Sequence, residues 1–226
     1  MGEAWIIYYT RVMSPQYILV IAVMVVMGWF AFGVIFNLRR GEALIRWMKG
    51  GLPRIGEKTT FRWMGTSVNQ MIIAQAKKPF RRLETLIVLA PRDVPWLWLA
   101  AAFQGRKDTM IFRAQLHSAP LMDCDLADPA SWTGRMALRE ATRRGWESQP
   151  YQDLQLMAPG GMLDQASVAL GELYSQVGQL AEHCRRISLR RDTPHLELHI
   201  SFPDHRRQEA ASWFEKFREL ARSVGE

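Results

Sequence analysis

From Tyr17 to Phe36 the chain reads YILVIAVMVVMGWFAFGVIF, twenty consecutive residues without a charge, inside a charge-free stretch that runs from Val12 to Leu38. At about 1.5 Å of rise per residue, twenty helical residues cover the roughly 30 Å hydrocarbon core of a bilayer. A buried helix of a soluble protein rarely runs so far without a polar face. The segment therefore predicts a transmembrane helix over 17–37. A cleaved signal peptide would have a positive n-region and an apolar core of about 7–15 residues. Residues 1–16 instead hold one acid, Glu3, and one base, Arg11, and the apolar run continues past the small-x-small Ala31-Phe32-Gly33 into Val34-Ile35-Phe36. The helix is expected to be retained.

Charge decides the orientation. Residues 1–38 net zero, whereas Arg39–Arg82 holds eleven bases against Glu42 and Glu57, a net +9. The positive-inside rule then places the N-terminus (1–16) outside and the remainder in the cytoplasm, or in the equivalent interior of an organelle. The expected address is an inner or plasma membrane, crossed once. Trp5, Tyr8, Tyr9 and Tyr17 fall where amphipathic rings prefer the outer headgroup region. Trp5, Tyr17, Trp29, Arg39, Arg40, Arg46, Trp47 and Lys49 are the candidate membrane or lipid contacts. The whole chain of 226 residues carries +7, so removing the +9 segment leaves residues 83–226 at −2. A basic total invites a nucleic-acid reading, but here the positive charge belongs to the juxtamembrane segment and no nucleic-acid partner is expected.

Beyond the span, Leu38–Lys49 predicts a continuing or interfacial helix, broken by Gly50-Gly51-Leu52-Pro53. Residues 38–65 read as a basic juxtamembrane segment and 66–226 as a soluble domain. In that domain Thr66–Lys77 predicts a helix with Ser67 as N-cap. Leu83–Ala90 is a buried strand ended by Pro91, and a helix capped by Asp93 runs through Trp96–Phe103 to Gly105, with a strand as the alternative there. Thr109–Leu116 is a strand, Ser118–Ser131 a loop and Thr133–Arg144 a helix closed by Gly145. Tyr151–Met157 alternates as a half-buried strand, and Met162–His183 carries an apolar helical stripe. Arg186–Arg191 and His195–Phe202 form a hairpin, and Asp204 caps a last helix with the stripe Trp213, Phe217 and Leu220. About five strands covered by four or five helices predict an α+β, or mixed α/β, domain.

Chemistry-bearing constellations are few. His195, Glu197 and His199 share one strand face and are the sharpest candidate metal ligands, set against a solvent-facing strand in which Glu197 pairs with Arg186 or Arg190 across the hairpin. Asp123 and Asp125, with Asp128 nearby, form an acidic loop of the kind that holds Mg²⁺ with substrate phosphates, set against ordinary solvation. Flanking anions disfavour a Cys124 thiolate, and Cys184 reads as a small buried residue. No phosphate loop, dinucleotide fingerprint, nucleophile elbow or zinc-protease motif occurs, so no catalytic residue is assigned and no cofactor is expected. Trp96 and Trp98 read either as core or as a docking patch. The expectation is a membrane-anchored accessory or scaffolding subunit of a larger membrane protein complex, in contact with the lipid bilayer. A membrane-tethered enzyme, metal-dependent in one form, is the alternative.

Overall fold

The computed structural model describes residues 15–224. Trp5, Tyr8 and Tyr9 lie outside the described residues. A single helix, α1 (Pro15–Ile55), runs 41 residues. It is long and apolar enough to cross a membrane. Its side chains from Tyr17 to Phe32 are exposed, and a buried stripe then begins: Gly33, Asn37, Gly41, Leu44, Met48, Gly51, Leu52 and Ile55. The three-to-four-residue spacing of that stripe puts it on one helix face, so the second half of α1 belongs to the domain.

The expected break at Gly50-Gly51-Leu52-Pro53 does not occur. Gly51 is where α1 meets the C-terminal helix; a β-carbon there would stand 2.4 Å from Phe214 and 2.6 Å from the Ala210 carbonyl oxygen. Glycine is used for close approach, not for a turn. Pro53 falls in the last turn, and the helix-terminal carbonyl of Ile55 accepts the Lys77 amide at 2.6 Å.

The domain is built on one sheet of nine strands, not five: β1 (Gly56–Met64), β2 (Val68–Ala76), β3 (Phe80–Val88), β4 (Thr109–Leu116), β5 (Cys124–Ala127), β6 (Glu147–Tyr151), β7 (Leu154–Ala158), β8 (Cys184–Leu189) and β9 (Leu196–Ile200). Their spatial order is β1-β2-β3-β4-β9-β8-β5-β7-β6, every neighbouring pair antiparallel. The interspersed helices are α2 (Pro95–Phe103), α3 (Trp132–Arg143), α4 (Leu163–Val177) and α5 (Ala210–Ser223). The class is α+β. From β5 onward the order β5-α3-β6-β7-α4-β8, with strands arranged β8-β5-β7-β6, is a split β-α-β-β-α-β unit.

Several differences from the sequence reading have physical causes. Residues 68–76 form β2, not a helix, because Gly65 at φ +76° turns the chain back on β1. Asn69, Met71 and Ile73 then alternate inward. The loop over 118–131 contains β5, four residues that are all buried between β7 and β8. β6 precedes the strand expected near 151–157. α4 stops at Val177, and α5 starts at Ala210 because Asp204 caps only a turn ahead of it.

One sheet face is the core. A continuous row crosses seven strands through Met71, Thr85, Phe112, Leu198, Ile187, Leu126 and Leu156. Aromatic rings fasten α5 and α1 onto it: Phe217 lies 4.8 Å from Phe112 and 5.5 Å from Phe80. Trp213 is 5.7 Å from Trp47 of α1. Burying rings of this size stabilises by about 1.5–3 kcal/mol each. On the opposite face α3 covers only one end, through Ala127, Ala137, Ala141 and Met157.

Candidate functional site

Two polar arrangements stand out, one where α1 leaves its exposed apolar half and one across the open sheet face.

The first is a joint around Asn37. This side chain is wholly buried and donates to the Ala90 carbonyl at 3.0 Å and to Ser67 Oγ at 3.3 Å. Arg92 Nη1 donates to its Oδ1 at 3.3 Å. Arg92 also grips Asp108, Arg40 Nε reaches the same carboxylate at 2.8 Å, and Asp108 Oδ1 accepts the Ala90 amide. Asn37 thus has its donors and acceptor satisfied, as a buried amide requires. Four segments, from α1, the β1–β2 turn, the β3–α2 loop and the approach to β4, are tied at one point.

The second is a charged row on the face opposite the core. Register places Glu84, Arg113, Glu197, Ser188 and Asp125 side by side on five successive strands. Arg113 Nε donates to Glu197 at 3.2 Å, so the partner of Glu197 is Arg113 on β4, where an arginine of the β8 hairpin strand was expected. Asp125, 1% exposed, takes Arg190 at 2.6 Å and Arg186 at 3.2 Å. Arg190 stacks over Trp146 at 4.8 Å. A cleft of about 380 Å³ opens beside this row, lined by Arg113, Arg144, Arg186, Arg190 and by Asp123, Glu140, Asp192, Glu197. Four guanidinium groups meet four carboxylates, so the cleft is charge-balanced and does not select an anion.

The sequence-chosen metal candidates are distributed as follows. His195 turns away, its Nδ1 accepting the Leu116 amide at 3.1 Å. Glu197 and His199 touch, Oε1 to Nε2 at 2.6 Å. That contact puts the imidazole proton on Nε2. Burial raises the Glu197 carboxyl, but the His199 hydrogen bond and the charges of His199, Arg113 and Arg186 outweigh it and bring it down to about 2. Burial lowers His199 from 6.5, against the pull of Glu197, so at pH 7 it is neutral and donates to Glu197, and it is charged only at the acid pH where Glu197 itself titrates. Asp123 accepts the Arg191 amide at 2.8 Å, and Asp125 is held by its two arginines. Among the described residues no group of three His, Cys, Asp or Glu side chains is placed to hold a metal ion. The Cys124 thiol is pushed up to about 12 by burial and then by Asp125, and Cys184 to about 12 by burial.

No protein-family model and no curated protein matches this chain.

The membrane candidates divide along α1. Tyr17 and Trp29 are exposed, Trp29 donating its indole N–H to the Arg92 carbonyl at 2.9 Å. Arg39 and Arg46 are exposed, whereas Arg40 is tied to Asp108 and lies over Phe202 at 5.4 Å. Trp47 packs on α5 and donates to the Gln208 carbonyl at 2.7 Å, and Lys49 sits over Phe61 at 5.7 Å. Lys77 lies at the end of α1, its Nζ on the Pro53 carbonyl, roughly 25 Å along the helix from Asn37. The basic segment is thus spread over the length of the domain. What sequence reasoning missed is the Asn37–Arg92–Asp108 joint; the one signal for it was a lone polar residue, Asn37, at the end of an apolar run.

Proposed function

We propose that this chain is a single-pass, membrane-anchored accessory or scaffolding subunit of a larger membrane protein complex. Its domain stands on the cytoplasmic side, or the equivalent side of an organelle membrane. The observation that carries the reading is the continuity of α1: one helix has a lipid-compatible half and a half built into the domain core, without a linker between them. Such a mount holds the sheet at a set height and angle to the bilayer, which suits a part that positions others. The open charged face through Glu84, Arg113 and Glu197 is the surface offered to a partner.

Retention of the helix is supported by its use in the fold. A signal peptide leaves nothing that the mature domain needs, whereas Trp29 and Gly33 both pack against the 91–98 segment. Orientation is supported by Arg39, Arg40, Arg46, Lys49 and Arg54 on the domain side of a charge-free span.

The test is purification of the full chain from its native membrane in mild detergent after chemical crosslinking. A stoichiometric membrane protein that is lost on Arg113→Glu/Glu197→Arg exchange is the expected result. A lone chain that binds one equivalent of metal, released on His199→Ala, would overturn the reading in favour of a membrane-tethered enzyme. Extraction of the uncrosslinked chain by carbonate without detergent would overturn the anchor itself. A protease-accessible C-terminal domain on the outside of intact cells would overturn the orientation.

A further inference from the structure

We infer that α2 is a second membrane element, a short helix embedded in the domain-side leaflet beside α1 without crossing the bilayer, and that lipid acyl chains cover Trp96, Leu97, Leu99 and Phe103. The inference rests on the membrane-spanning reading of α1.

α2 reads PWLWLAAAF, nine residues without a polar side chain. Only Ala101 is buried; Trp96 is 64% and Phe103 85% exposed. A surface helix of a soluble domain keeps a polar face, and one that is apolar all round sits in a core or in lipid. Here the helix lies outside the core. Its length of about 13 Å is under half the hydrocarbon thickness, so it has to rest within one leaflet.

Its placement fixes the depth. Trp98 packs on Trp29 of α1, ring centroids 5.9 Å apart. The backbone leading into α2 touches α1 at Gly33, where a β-carbon would stand 2.3 Å from the Arg92 carbonyl oxygen. Trp29 precedes Phe36, the last residue of the apolar run, by roughly 10 Å of helix, the depth to which in-plane helices sink below the headgroups. Phe30, Phe32 and Ile35 on the same stretch of α1 are exposed apolar side chains as well. Charge brackets the helix on both sides: Arg92 and Asp93 before it, Arg106 and Lys107 after it. The Arg92–Asp108 pair, with Arg40, stands where headgroups belong, and long basic side chains can reach that level from below. Continuity with α1 at the depth of its span selects lipid over a second copy of the chain or a soluble partner.

The experiment uses the full chain reconstituted in phosphatidylcholine/phosphatidylglycerol vesicles. Spin labels are placed at Leu97, Leu99 and Phe103 in a Cys124→Ala/Cys184→Ala background, with Val25 on α1 and Val168 on α4 as references. The expected result is a ratio of oxygen to nickel-chelate accessibility at the three α2 positions that matches Val25 and exceeds Val168 at least about fivefold. An aqueous Leu99 with a lipidic Val25 overturns the inference alone; an aqueous Val25 overturns the anchored reading with it. Spin–spin broadening that vanishes on dilution with unlabelled chain would assign the patch to a second copy. Protection in native membranes but not in vesicles would assign it to a protein partner. Should the cysteine-free background not fold, carbene photolabelling of the unaltered chain from the lipid phase decides the same point. Modification within residues 95–103 supports the inference, and labelling confined to α1 overturns it.

Discussion

Arg92 holds Asp108 with both terminal guanidinium nitrogens, each 3.0 Å from its own carboxylate oxygen. This bidentate pair is specific in geometry as well as charge, and it sits between the approach to β4 and the loop that leads into α2. Asp108→Asn is expected to cost about 1–3 kcal/mol, because it leaves Arg92 and the Ala90 amide poorly matched while water still reaches the arginine. Arg40→Gln, at a half-exposed site, should cost less than about 1 kcal/mol. Thermal unfolding in detergent micelles separates the two.

Glycines within α1 are not equivalent. A side chain added at Gly28 meets nothing within 4 Å, while one at Gly33 collides with the Arg92 backbone. Gly28→Leu should leave stability unchanged. Gly33→Leu should loosen the 91–98 segment at a cost of about 1–3 kcal/mol, seen as new protease cleavage near Arg92.

Acid should destabilise the domain in two stages. Glu197 has its pKa lowered to about 2 in the fold from 4.5, so its contribution is complete above pH 4.5 and is lost as pH falls toward 2. His199 is also lowered, from 6.5, so the unfolded chain takes up its proton first and stability begins to fall below pH 6.5. His199→Gln keeps a donor toward Glu197 without the titration. It should flatten the upper limb and shrink the lower one, because the His199 charge that helps hold Glu197 down is gone while Arg113 and Arg186 remain, measured as midpoint temperature against pH.

Both cysteines should be inert to maleimide at pH 7, since thiols raised to about 12 carry almost no thiolate. Modification should appear only on unfolding. Rapid labelling of Cys124 in the folded chain would contradict its burial between β7 and β8.

Phe217 sits against Phe80, Phe112 and Trp213. Phe217→Ala should cost about 3–5 kcal/mol, a loss large enough to uncouple α5 from the sheet, read by denaturant titration of the detergent-solubilised chain.

Local chemistry made much of the fold readable. β4 runs over the expected Thr109–Leu116, since Met110, Phe112 and Ala114 alternate with Ile111 and Arg113. The hairpin of β8 and β9 and the Trp213–Phe217–Leu220 stripe are equally visible, and of the helix and strand that residues 96–103 both allow, the helix forms. Misreadings came where a residue's role depends on a distant neighbour. Gly51 looks like a helix breaker until Phe214, 163 positions later, takes up the space it leaves. Residues 68–76 fit either period, and only pairing with β1 and β3 selects the strand. The same holds for the sites. Asp123 and Asp125 are two residues apart, yet Asp125 belongs to Arg186 and Arg190, more than sixty positions on. The Asn37 joint unites residues 37, 67, 90, 92 and 108, a grouping that no spacing rule anticipates.

On the anchored reading proposed above, the unbroken course of α1 makes the domain a lever. In a bilayer thicker or thinner than its apolar half, a single span adapts by tilting. With no hinge between Tyr17 and Ile55, that tilt swings the whole nine-stranded sheet through the same angle. The far end of the sheet then sweeps a wider arc than the span itself. On that reading, membrane thickness sets the orientation of the charged face.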